Sequence, residues 1–330
     1  MLVKILGSAA GGGFPQWNCA CPNCRALRAG TFPGTARTQT QIAIRADGNS
    51  WFLLGASPDL RAQIEATPEL QPRGEADNAI RQSPIAGVVL SNADVDHILG
   101  LLLLRELQPL RVYATESVHR ILREDNSMFA MLERVPNQVT WTNFAPGTSF
   151  PLCTPSGKDS GVRCRALSLG SHFPTYVSNS WWSELKPSDA SLGLIVESKI
   201  IESTTVESAS GKRLACMTAV PEITDALLHE LESADVILFD GTFWSDDELI
   251  RMQGAGQNAQ ASAQTARQMG HVPVSSNEGS LVKLARLRRQ RKIYVHINNT
   301  NPMLNEAGPE YARVREAGWE IAEDGWQLEI

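Results

Sequence analysis

The chain has 330 residues, 42% of them hydrophobic and 20% charged, with a formal net charge of −6 at pH 7. That length can bury a sizeable core, and that balance excludes a disordered chain. The negative charge argues against a nucleic-acid partner, and the one dense basic block, Arg286–Lys292, reads as a solvated helix end.

The first predicted element is a strand, Leu2–Leu6, running into the glycine-rich loop Gly7–Gly13. The opening apolar run is too short for a signal-peptide core. Ile98–Leu104 falls far below the roughly 20 apolar residues that a membrane span needs, so no span is expected. The expected compartment is the cytoplasm, where six cysteines point to metal binding or burial before disulfides. Cys19, Cys21 and Cys24 follow the glycine loop. Three thiolates so closely spaced can wrap one tetrahedral Zn²⁺. Residues from about 17 to 25 are therefore expected to form a structural zinc loop whose fourth ligand comes from elsewhere.

Gln41–Arg45 and Ser50–Leu54 read as a hairpin across Asp47-Gly48-Asn49. Ser57 and Pro58 then open a helix, with Ser57 as the N-cap, over Asp59 to about Ala66. Ile85–Leu90 is a buried strand, followed by the acidic loop Ser91–His97 and a helix from about Ile98 to Leu107. Leu110–Tyr113 is a strand and Thr115–Asp125 a helix. Strand signals dominate from Val139 to Val206, with a hairpin tip at Ser203–Lys212. The second half repeats the alternation: strand Arg213–Met217, helix Thr224–Glu232, strand Val236–Phe239 ending at Asp240, a helix near Glu278, and strand Ile293–His296. There is no Pro/Ser-rich linker and no short-period repeat. The chain reads as an α/β protein, a single domain over 1–330 built from two β-rich halves with helices outside.

Chemistry-bearing residues gather at strand ends, where a rigid strand meets a variable loop. His97, Asp240 and His296 each stand at or just after such an end. Singly each reads as a satisfied core residue; together they favour a metal site. Asp94, Asp96 and His97 crowd titratable groups that would repel without a cation. Asp94 or Asp96 also reads as an N-cap for the helix that follows. His271 in Gly270–Ser275 is open between general acid/base, ligand and packed loop residue. His172 is a weaker candidate. His119 and His229 read as surface residues, and Cys153, Cys164 and Cys216 as ordinary core or loop cysteines.

Several segments resemble the pyrroloquinoline quinone (PQQ) biosynthesis protein B family. They are Gly7–Cys24, Ala56–Arg61, Phe239–Trp244, Met269–Ser275 and Tyr294–Pro302, which together span most of the chain. The resemblance implies a metallo-β-lactamase-like αββα sandwich, two central mixed β-sheets flanked by helices. In that superfamily's His-x-His-x-Asp-His loop the two leading histidines fall at Asn92 and Asp94, which implies that one of two metal sites is dismantled. The remaining ligands implied are Asp96, His97 and His296, with Asp240 in the bridging position, and His271 assists catalysis. Asp94 stays open between catalytic group, ligand and cap. Asn299 is a candidate fourth ligand for the zinc loop.

Two histidines with one or two carboxylates on one ion resemble the ligand set of mononuclear non-haem iron oxygenases. The family then implies Fe²⁺-dependent hydroxylation of the tyrosine ring of a Glu-Tyr-derived PQQ precursor, beside a structural Zn²⁺. The alternatives are a non-catalytic carrier moving PQQ or its precursor toward the periplasm, and a residual metal-dependent hydrolase. Candidate partners are that precursor or PQQ, other proteins of the pathway, and a second copy of the chain in a homodimer.

Overall fold

A computed structural model of the chain describes residues 1–45, 48–73, 81–178, 182–198, 211–253 and 264–330. Its strands are β1 (Leu2–Gly7), β2 (Gln41–Arg45), β3 (Trp51–Leu54), β4 (Ile85–Val89), β5 (Leu110–Thr115), β6 (Val139–Phe144) and β7 (Ser149–Cys153). They continue with β8 (Asp159–Gly170), β9 (Ser191–Ser198), β10 (Arg213–Met217), β11 (Val236–Asp240), β12 (Arg291–Val295), β13 (Trp319–Ile321) and β14 (Trp326–Glu329). The α-helices are α1 (Pro22–Arg28), α2 (Leu60–Glu65), α3 (Val95–Ile98), α4 (Glu116–Arg120), α5 (Asp225–Glu232), α6 (Glu248–Gln253), α7 (Ser280–Lys283) and α8 (Pro309–Glu316).

Two seven-stranded sheets have the orders β14-β1-β2-β3-β4-β5-β6 and β13-β12-β11-β10-β9-β8-β7. Both are mixed. β3 to β6 pair in parallel while β1 meets β14 antiparallel, and β11 to β13 pair in parallel while β7 to β9 pair antiparallel. The expected class of two mixed sheets with helices is therefore what forms. The parallel strands explain the unbroken apolar runs. β4 and β11 are buried at every residue, as strands covered on both faces must be. None of the described helices is long and apolar enough to cross a membrane.

By its contacts the chain divides into two compact units, and neither is a sequence half. The first is Met1–Leu6, Gln41–Leu214 and Gly325–Ile330; the second is Gly7–Thr40 and Ala215–Asp324. The core of the first is built on Trp51, Leu53, Val88, Val112 and Leu122, with Phe129 against them. In the second, Tyr294 of β12 stacks on Trp319 of β13 at 4.1 Å, and Phe239 of β11 meets Trp319 edge-on.

Three local expectations are corrected. The helix after the acidic loop starts earlier, as α3, and continues from Leu99 to Leu104 as a 3₁₀ turn. Its backbone is drawn in tightly: the Gly100 N–H donates to Ala56 O at 2.9 Å, and a Cβ at Gly100 would lie 2.3 Å from Ser57 O. Ser57 does not cap α2. Its hydroxyl accepts from the Asp59 N–H at 3.0 Å, and Asp59 holds the cap position without a side-chain bond. Beyond Arg120, the expected helix Thr115–Asp125 widens into a π turn over Ile121–Asp125. The expected turn residue Asp47 and the hairpin tip from Ser203 to Ser210 lie outside the described residues.

Gly100→Ala is expected to lower stability by about 1–3 kcal/mol, the usual cost of overpacking. Urea denaturation measures it; an unchanged midpoint would mean that the Ala56–Ser57 backbone yields without cost.

Candidate metal centres

In the second unit β11 and β12 run parallel in register, so that Asp240 lies beside Val295 at the strand ends. The chain then turns through Gly241, whose N–H donates to Val295 O at 2.9 Å. A Cβ at Gly241 would lie 2.8 Å from the Met303 methyl and 2.9 Å from Tyr294 Cβ, so only glycine fits this turn. Thr242 follows, and its backbone N–H returns to Asp240 Oδ1 at 3.0 Å. His271 sits after Gly270, which has φ +84°, and its backbone N–H donates to Ala266 O. His296, one residue past β12, has φ +56°. That left-handed backbone is uncommon outside glycine and clusters at functional sites, where the surroundings hold it.

These turns bring Asp240, His271 and His296 together, all buried, with potential ligand atoms within 4.8 Å of one another. The Asp240 carboxylate is fully buried and accepts four hydrogen bonds. Oδ2 receives Val220 N–H at 2.9 Å and His271 Nδ1 at 2.7 Å; Oδ1 receives Thr242 N–H at 3.0 Å and the Thr242 hydroxyl at 2.6 Å. Burial pushes its pKa up, but His271, His296 and the Thr242 hydroxyl outweigh that and hold it below the ordinary carboxylate value. Thr242 Oγ1 also lies 2.8 Å from His296 Nδ1 and 3.1 Å from His271 Nδ1. The two imidazoles stack with centroids 5.4 Å apart. Two imidazoles with a carboxylate are a donor set that suits zinc or iron.

The cysteine cluster is also in the second unit. Cys19, Cys21 and Cys24 point their sulfurs at one spot, and Asn299 covers it, its side-chain amide 3.1, 3.6 and 3.3 Å from the three sulfurs in that order. Asn23 holds the facing loop by donating its Nδ2 to Asn299 O and Asn301 O. Burial pushes the Cys21 thiol up to about 11, and the neighbouring Cys19 and Cys24 add to the shift. All three sulfurs can be thiolates together only beside a cation, and sulfur donors fit zinc. Asn299 meets the sulfurs through its Nδ2 donor, which has no lone pair for a metal.

In the first unit Asn92, Asp94, Asp96 and His97 share one turn. Asn92 is buried and its Oδ1 accepts the Asp94 N–H at 3.2 Å. Asp94 is the residue before α3 but makes no side-chain cap bond. His97 is buried, with Nε2 3.8 Å from Asp96 Oδ2. Its Nδ1 lies 3.3 Å from where a Cβ would stand at Gly55, whose φ is +78°. An apolar cleft of about 320 Å³ opens beside this turn, walled by Val95, Ile98, Leu99, Met128, Phe129 and Tyr176. The Tyr176 hydroxyl donates to Ala93 O.

Of the remaining histidines, His172 and His229 are exposed, and His119 is half-buried with its ring stacked on Trp141. Two residues at the second-unit site carry no sequence expectation. Thr242 lies inside the matched segment Phe239–Trp244, and its position two residues after Asp240 was the available signal. Glu248 offered none. It is buried and accepts Thr300 Oγ1 at 2.5 Å and Trp244 N–H at 2.6 Å, and it ties down the loop that follows His296.

Comparison with known proteins gives consistent matches. A model described as a beta-lactamase superfamily domain matches residues 50–297. Coenzyme PQQ synthesis protein B of Rhodopseudomonas palustris (strain TIE-1) is 40% identical, covering 99% of each chain. The protein of that name from Pseudomonas putida (strain W619) is 39% identical over the full length of both. Among solved structures, Zn²⁺-bound PqqB from Methylobacterium extorquens superposes with a TM-score of 0.84 at 36% identity, covering 100% of both chains. A diphosphatase of the PhnP family shares the fold, with a TM-score of 0.63 at 18% identity, covering 100% of this chain and 96% of its own.

Cys24→Ser is expected to cost the protein an equivalent of zinc, read by elemental analysis; unchanged zinc content would remove the cysteine cluster as its site. Glu248 carries a pH expectation. Burial pushes its carboxyl up to about 7, so the neutral form is favoured in the folded state. Its contribution is fully present below the unfolded pKa near 4.3 and is lost as pH rises through about 7. The loss amounts to about 4 kcal/mol at 1.36 kcal/mol per pH unit. Glu248→Gln, neutral throughout, is expected to flatten stability between pH 5 and 8 in denaturant titrations. A wild-type slope in the variant would assign the dependence to other groups.

Proposed function

The chain belongs to the coenzyme PQQ synthesis protein B family of the beta-lactamase superfamily, and we propose that it serves PQQ biosynthesis as a metal-dependent enzyme adding oxygen to the tyrosine ring of a Glu-Tyr-derived precursor. The observation that carries this reading is the buried cluster of Asp240, His271 and His296 at the ends of β11 and β12. Buried titratable groups clustered in this way are characteristic of functional sites.

On the sequence resemblance, Asp96 and His97 are proposed as ligands together with His296. Asn92 and Asp94, standing where the superfamily loop has its two leading histidines, favour a single ion; the Asn92 Oδ1 accepts the Asp94 N–H at 3.2 Å and so helps to hold the turn. Two-metal hydrolysis needs both sites, so a hydrolase is disfavoured. Zinc has no redox chemistry, whereas Fe²⁺ bound there would supply the activation of O₂, with a two-electron donor. His271, gripped at Nδ1 by Asp240, is placed to move a proton at Nε2. The apolar cleft between Val95 and Tyr176 suits the ring of a tyrosine, and Asp94 on the same turn is proposed to meet its hydroxyl.

The test is anaerobically Fe²⁺-loaded protein given Glu-Tyr, a reductant and O₂. Mass spectrometry is expected to find hydroxylated product from the iron form and none from the zinc form. His97→Ala and Asp96→Ala are expected to lower bound iron, and His271→Ala to lower turnover by about 10²–10⁴-fold. Equal silence from the iron and zinc forms sinks the reading. Tight PQQ binding that survives His97→Ala would put the carrier in its place.

A further inference from the structure

Thr242 sits at the centre of the buried cluster, and its hydroxyl has more neighbours than it can serve as a donor. It has one proton and two lone pairs. Two of its neighbours only accept: Asp240 Oδ1 at 2.6 Å and the His296 carbonyl at 2.9 Å. The shorter contact is also the charged one, and an oxygen pair at 2.6 Å without a proton between them would be strongly repulsive. The proton therefore goes to Asp240.

The imidazoles are then settled in turn. His296 Nδ1, 2.8 Å from Thr242 Oγ1, faces an oxygen whose proton is already given away, so this nitrogen must be the donor. His271 Nδ1 faces Asp240 Oδ2 at 2.7 Å and Thr242 Oγ1 at 3.1 Å, acceptors both, and must also carry its hydrogen. In each ring Nε2 becomes the lone-pair nitrogen, the one able to bind a metal or take up a proton. The Nδ1–H holds for either charge state of the rings, since an imidazolium also keeps it; the Nε2 lone pair belongs to the neutral ring.

We infer that Thr242 is a positioning residue: with Asp240 it fixes His296 and His271 as Nδ1–H tautomers, so that the single hydroxyl orients both imidazoles. Asp240 is the anchor of this device. Its four acceptor positions are already met by protein donors, which makes it the carboxylate behind the histidines and not a bridging ligand. This departs from the bridging role that the superfamily pattern implies for Asp240. The inference extends the metal-centre reading above in what it says of metal binding, but the tautomers themselves do not depend on it.

The experiment uses metal-free, full-length protein labelled with ¹⁵N-histidine, with long-range ¹H–¹⁵N correlation to read each ring, followed by titration with Zn²⁺. Wild type and Thr242→Ser are expected to show Nδ1–H at His296 and His271. Thr242→Val keeps the shape and the backbone N–H bond to Asp240 but loses the hydroxyl. It is expected to lose the Nδ1–H preference at His296 and to bind Zn²⁺ at this site about 10–100-fold more weakly. Thr242→Ser is expected to restore both. An Nε2–H tautomer at His296 in the wild type overturns the inference, as does a Val variant with wild-type tautomers and affinity. Nδ1–H rings in a protein that takes up zinc only at its cysteines would support the inference while sinking the metal-centre reading.

Discussion

A carboxylate wholly removed from water must find a donor for each lone pair inside the protein, and Asp240 does so from several separate segments. Val220 comes from the chain after β10, Thr242 from the turn after β11, and His271 from the loop before α7. An unmet bond to a buried charge costs roughly 1–3 kcal/mol or more. Asp240 is therefore a fold constraint as well as a chemical one. The turn that presents Thr242 and the loop carrying His271 both supply donors to this group.

The loop after β12 is held by the same region. Asn298 N–H donates to Thr242 O, Asn301 donates its side-chain amide to Gly241 O, and Thr300 donates to Glu248. Along these few residues the chain passes from His296, in the imidazole cluster, to Asn299, over the three cysteine sulfurs. Both candidate centres of the second unit thus hang from one polar, buried stretch whose backbone is pinned on either side. Chemistry that looks separate in sequence, a cysteine motif near the start and a histidine near the end, shares one support.

What was legible in the sequence had a local cause. β10 forms over the expected residues because its apolar run is bounded by polar neighbours. Helix starts near Thr115 and Thr224 are readable because those hydroxyls accept from Val118 and Leu227 N–H groups. The cysteine loop and the strand-end positions of Asp240 and His296 are legible because residue type and strand pattern coincide there. What was missed depends on tertiary approach. The 3₁₀ turn after α3 answers to the Gly100 contact with Ala56 and Ser57, which no spacing rule contains. Glu248 is an ordinary helix-forming glutamate until burial against Thr300 makes it otherwise. Thr242 lay in full view in a matched segment, but only distances reveal that one hydroxyl serves two imidazoles.

The left-handed backbone of His296 carries a consequence for how this chain can vary. A side chain at that position must tolerate φ near +56°, which β-branched and bulky residues resist while asparagine, aspartate and histidine accept. Histidine is the member of that short alphabet that brings an imidazole. The choice of metal-binding group at the end of β12 is therefore constrained twice, by coordination chemistry and by the torsion of its own main chain. Evolutionary drift at this residue has to satisfy the second filter before the first can act.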